Sequence, residues 1–95
     1  MANMNTVGKH CTTVRNDADE ISVVYQSTQV VHLNKKTGTV TLDSGRWRTA
    51  TTKTRMNQAA NQFGLGFGVY QRGGKWFVDV DAQLKTRPFS DKMKI

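Results

Sequence analysis

The dipeptide Gly73-Gly74 constrains this chain more than any other feature. It separates Phe67, Val69 and Tyr70 from Trp76, Phe77, Val78 and Val80, with Arg72 and Lys75 as its immediate flanks. A two-residue hairpin turn of type I′ needs positive φ at both central positions, and glycine adopts it without steric cost. The turn then sets the register. Gln71 faces Trp76, Tyr70 faces Phe77 and Val69 faces Val78. Side chains alternate across a strand, so one face of the ribbon carries Phe67, Val69, Val78 and Val80, with Trp76 at its end. The other carries Tyr70 and Phe77, flanked by Arg72 and Lys75. The first face must pack on a helix. The second either displays two aromatics beside two cations, or is covered by a terminal segment or a second subunit.

The helix is legible just upstream. Met56, Ala59, Ala60 and Phe63 recur at i, i+3, i+4 and i+7, one face of a 3.6-residue period. Thr49, Thr51 or Thr52 can cap its start, and Gly64 is placed to end it in the left-handed conformation. The opposite face is expected to hold Arg55, Asn57, Gln58, Asn61 and Gln62. Such an amide-rich face either reads base edges or a partner's backbone, or is simply polar. Phe63 is expected to anchor the helix to the sheet.

Three strands precede it. Ile21, Val23 and Tyr25 alternate with Ser22, Val24 and Gln26, the period of a strand. A second strand follows at about 29–34. The loop Asn34-Lys35-Lys36-Thr37-Gly38 leads to a third, Thr39 to Asp43, which buries Val40 and Leu42. Asp43-Ser44-Gly45 is a turn. The fold class is therefore α+β: an antiparallel three-stranded meander, one helix and a C-terminal hairpin, with the helix packed on one sheet face. Residues 1–19 lack an apolar period and read as a flexible N-terminal arm with a short ordered piece around Val14. Residues 20–80 form a single domain. Residues 81–95 read as a basic C-terminal tail, with Arg87-Pro88 breaking regular structure.

Charge is concentrated. Of a net +7, the segment 44–63 carries four cations and no acid. Within it, Ser44-Gly45-Arg46-Trp47-Arg48-Thr49-Ala50-Thr51-Thr52-Lys53-Thr54-Arg55 interleaves basic side chains with an aromatic and with hydroxyl donors. That mixture suits a phosphate backbone with bases or sugars nearby, and equally any anionic surface. The candidate contact residues are Arg46, Trp47, Arg48, Lys53 and Arg55, with Gln58 and Gln62 on the helix and Tyr70, Arg72, Lys75 and Phe77 on the hairpin.

Other motifs carry less. Gly64-Leu65-Gly66-Phe67-Gly68 looks like a phosphate loop, but a dinucleotide loop follows a strand and opens a helix, the reverse of this order. His10, next to Cys11, falls in the arm, and His32 alternates with Val31 and Leu33 on a strand, where a lone histidine reads as a surface or packing residue and not as a catalyst. Asp17, Asp19 and Glu20 match no calcium-loop spacing and could instead fold against the basic segment. A lone Cys11 allows no intrachain disulfide and no cysteine zinc site. No apolar run approaches the ~18 residues that span a bilayer, and the N-terminus has no secretory signal pattern. No catalytic residue, cofactor or metal is expected, so the chain reads as a binding protein and not as an enzyme.

The run from Val24 to Val31, with its Tyr-x-x-Thr-x-Val-Val pattern, and the segment Ser-Gly-x-Trp-x-Thr-x-Thr-Thr-Lys from Ser44 to Lys53 resemble small accessory proteins of tailed bacteriophages. With the hairpin, the resemblance spans roughly residues 20–80. It implies a phage gene product acting in the host bacterial cytoplasm, and transfers no functional residue. Three roles remain open: binding of nucleic acid or another anionic surface, inhibition of a host enzyme or bacterial defence system through an acidic protein surface, and an oligomeric sponge for a nucleotide signal. A homo-oligomer is compatible with each.

Overall fold

The computed structural model describes residues 11–45, 49–81 and 85–95. Along these the chain forms β1 (Thr12–Asn16), β2 (Glu20–Tyr25), β3 (Thr28–Asn34), β4 (Thr39–Leu42), α1 (Ala50–Phe63), β5 (Phe67–Arg72), β6 (Lys75–Val80), β7 (Lys85–Pro88) and β8 (Met93–Lys94). A five-stranded sheet runs in the order β1-β2-β3-β4-β8, and a three-stranded sheet in the order β5-β6-β7. Every pairing is antiparallel. The class is α+β, as the sequence pattern implies.

The expected meander is the centre of the larger sheet. Alternation places Ile21, Leu33 and Val40 in one row across β2, β3 and β4, and Val23, Val31 and Leu42 in the next. The two rows form the sheet's inner face. Val30 is an extra residue: Val23 pairs with Val31 while Val24 pairs with Gln29. Its carbonyl accepts from the Asp43 N–H at 3.1 Å. This bulge lets two adjacent valines, Val30 and Val31, both reach the core.

Helix α1 has the expected ends. Thr49 caps its start with Oγ1 accepting from the Thr52 N–H at 3.2 Å. Gly64 closes it at φ 62°. Its buried stripe runs through Thr52, Arg55, Met56, Ala59 and Ala60. Phe63, at the end of the expected stripe, lies half-buried at the margin of the core. The core is a single cluster that joins Val23, Val31 and Leu42 of one sheet to Val69, Trp76 and Val78 of the other through Met56 and Ala59.

The termini differ from the sequence reading. Thr12–Asn16, within the expected arm, forms β1 against β2, with Val14 opposite Val23. Residues 85–95, expected as a tail, stitch the two sheets together. Strand β7 pairs with β6, and the Phe89 N–H then donates to the Trp76 carbonyl at 3.0 Å. The buried Phe89 ring meets Trp76 edge-on at 5.4 Å. Asp91 Oδ1 accepts from both the N–H and the hydroxyl of Ser44. Met93 pairs with Leu42, and Ile95 exchanges backbone bonds with Val40. A chain of this size buries only about two thirds of its unfolded surface, so the apolar area added by Phe89 and Met93 is a substantial share of its core.

Candidate nucleic-acid interface

The hairpin forms in the expected register. Arg72 pairs with Lys75, Gln71 with Trp76, Tyr70 with Phe77 and Val69 with Val78. Gly73 and Gly74 take φ of 58° and 78°, as a type I′ turn requires. Phe67, Val69, Trp76, Val78 and Val80 are all buried on the inner face.

The outer face is built by the same alternation. Tyr70 and Phe77 lie half-buried with ring centroids 5.7 Å apart and planes inclined by 28°, a stacked pair. Strand β7 adds Pro88 opposite Phe77, extending the row to three rings. Two residues along, at the turn, stand the exposed Arg72 and Lys75. Among the described residues the ion pairs join Arg15 to Asp17, His32 to Glu20 and Lys36 to Asp19, and none engages Arg72 or Lys75. At the other end of the face, Asp79 opposes Gly68 and accepts from the Thr86 hydroxyl. The face is thus cationic at the turn, aromatic in the middle and acidic at the far end.

The helix residues named from sequence distribute differently. Arg55 is only 9% exposed and Gln58 only 2%, so neither is a surface contact. Arg55 Nε donates to Thr12 Oγ1 at 3.0 Å, Nη1 donates to Gln58 Oε1 at 3.2 Å, and the guanidinium sits 5.7 Å from the Tyr25 ring. Its position one residue before Met56 puts it within the packed stripe, where its long stem is buried and its charge is met by polar and aromatic groups. Asn57 bonds the backbone of Val69. Lys53 is half-buried, with Nζ 6.0 Å from the Trp76 ring centroid, which brings the first turn of α1 to the turn end of the hairpin. Gln62 is exposed. Arg46, Trp47 and Arg48 lie outside the described residues.

Concavities among the described residues lie away from this face. Tyr25, Gln26, Thr28, Val30, Ser44, Thr49 and Thr52 line a cavity of about 80 Å³ at the start of α1. A shallow groove of about 350 Å³ on the polar face of the larger sheet is lined by His32, Asn34, Thr37, Thr39, Thr41 and Lys94. The acids do not fold against the basic segment in any described contact. Asp17 instead accepts from the backbone N–H groups of Asp19 and Glu20, at 2.9 and 3.0 Å. Those bonds, with Arg15 and Lys35 nearby, hold its carboxyl below the usual range. Lys35 donates to the Asp17 carbonyl, and Lys36 lies 3.9 Å from Asp19. Asp17, Asp19 and Glu20 are thus met by Arg15, Lys36 and His32, with Lys35 on the Asp17 carbonyl, while Arg72 and Lys75 are exposed.

Fold and surface together define a small α+β domain that presents a cationic, aromatic face on a three-stranded sheet. The chain belongs to a phage family: all of it, residues 1–95, matches the family model described as Kyanoviridae Gp96 protein. No curated protein and no solved structure matches it. Among the described residues, no helix is long and apolar enough to cross a membrane.

Proposed function

We propose that this phage protein binds nucleic acid in the host cell through the outer face of β5-β6-β7, as a binding protein and not as a catalyst. The observation that carries this reading is the stacked Tyr70–Phe77 pair in register with Arg72 and Lys75. Large aromatics normally lie inside, and a stacked pair left half-buried on a sheet face beside two cations combines a π-surface with phosphate-binding charge. The sequence adds to this reading with the four cations and no acid of residues 44–63, a basic segment that suits an anionic partner. With contacts mainly to phosphate, affinity is modest and largely independent of sequence.

The test is titration of labelled oligonucleotides with the isolated protein at several salt concentrations. Binding that weakens with salt is expected, each phosphate contact adding about 0.7–0.9 to the log–log slope. No binding even at low salt would remove this reading. It would turn attention to the same surface as the contact of an inhibitor with an acidic host protein.

A further inference from the structure

We infer that the outer face of β5-β6-β7 takes a single-stranded polynucleotide and not a duplex, an inference that rests on the nucleic-acid reading above. Three observations point this way. First, Tyr70, Phe77 and Pro88 form one continuous row across all three strands. The bases of a duplex are already stacked on both faces, so such a row could touch only the duplex backbone, whereas a base of a single strand can lie on it directly. Second, the charge is arranged along the strands at one end. Arg72 and Lys75 stand two residues from the aromatic pair, roughly 6.6 Å along each strand. Asp79, held by Thr86, repels phosphate from the other end. A backbone therefore runs past the turn while its bases lie inward over the rings. A duplex, with phosphates on both sides of a groove, would bring one strand towards Asp79. Third, Gly68 leaves the face beside Tyr70 bare, and a Cβ there meets nothing within 4 Å. The platform accommodates about two bases, too few for sequence readout and enough for stacking.

The experiment compares short labelled oligo-dT, oligo-rU and a blunt DNA duplex of equal length, titrated by fluorescence anisotropy at low salt. Each variant is checked for an unchanged thermal melt. The single strands are expected to bind at least roughly tenfold more tightly than the duplex, and the dT and rU arms distinguish DNA from RNA as the source. Phe77→Leu keeps an apolar side chain but removes the ring. It should weaken single-strand binding roughly tenfold, the scale of one base–aromatic stack, and leave duplex binding unchanged. Gly68→Phe adds a ring in open space and should tighten single-strand binding alone. This gain cannot be mimicked by misfolding. Duplex binding equal to or stronger than single-strand binding, with Phe77→Leu and Gly68→Phe without effect on either, overturns the inference and leaves the nucleic-acid reading standing. Absence of binding to all three probes overturns both.

Discussion

Asn57 on α1 closes the open edge of β5 at Val69. Its Oδ1 accepts from the Val69 N–H at 2.7 Å, and its Nδ2 donates to the Val69 carbonyl at 2.8 Å. One side-chain amide thus reproduces both bonds that a neighbouring strand would make. It protects an edge strand and fixes the helix in register with the sheet. Asn57→Ala leaves two backbone groups unpaired and should destabilise the domain by about 2–3 kcal/mol. Asn57→Asp should cost a comparable amount: the carboxylate still accepts from the Val69 N–H, but its second oxygen is set against the Val69 carbonyl oxygen, two acceptors face to face. Urea melts of the two variants check this, and an unchanged midpoint for Asn57→Ala would mean that the helix is held by the apolar stripe alone.

The C-terminal segment is a structural strap. Phe89→Ala removes a buried ring that meets Trp76 and should cost about 3–5 kcal/mol, a large part of a small domain's stability. A dispensable tail would show no shift in Tm.

Gly45 and Gly38 both have positive φ, 60° and 74°, but their surroundings differ. A Cβ at Gly38 meets open space, whereas at Gly45 it collides with the Thr28 side chain. Gly38→Ala should cost about 1–2 kcal/mol from the left-handed backbone. Gly45→Ala should cost a further 1–3 kcal/mol or so from overpacking. Thermal melts that rank the two the other way would contradict this packing of the turn that leads into α1.

The Asp17 carboxyl is held low first by the Asp19 and Glu20 N–H groups. Because its folded pKa lies below its unfolded value, its contribution is present above the unfolded pKa, near pH 4, and is lost as pH falls through the folded pKa. Wild-type Tm should therefore fall more steeply below about pH 4 than that of Asp17→Asn. Parallel profiles for the two proteins would show that the turn contributes no pH-linked stability.

What was legible in the sequence follows from how local each signal is. The hairpin register rests on Gly73-Gly74 alone, and the helix ends rest on Thr49 and Gly64, so all were readable from neighbouring residues. Strand β1 is legible only as a short ordered piece around Val14, because that one large apolar residue is itself 40% exposed and gives no alternation. The strap is not legible, since Lys85–Pro88 has no strand period and Met93–Lys94 is only two residues long. Its partners lie far away in sequence. Phe89 and Met93, two apolar residues in a basic stretch, were the available signal. Polarity alone puts Arg55 and Gln58 on the open face, whereas angular position puts Arg55 in the stripe with Thr52, Met56 and Ala59. The aromatic and cationic pairs of the candidate site were readable because the turn fixes them; Pro88 joined them only through tertiary pairing.

The most direct test of binding through this face is the salt dependence of single-strand affinity for the Arg72→Gln, Lys75→Gln double variant beside wild type. Both side chains are exposed, so the fold should be unaffected. If each contacts one phosphate of a single strand, the log–log slope should become shallower by roughly 1.4, and affinity at low salt should fall. A slope and affinity equal to wild type would place the binding surface elsewhere on the protein.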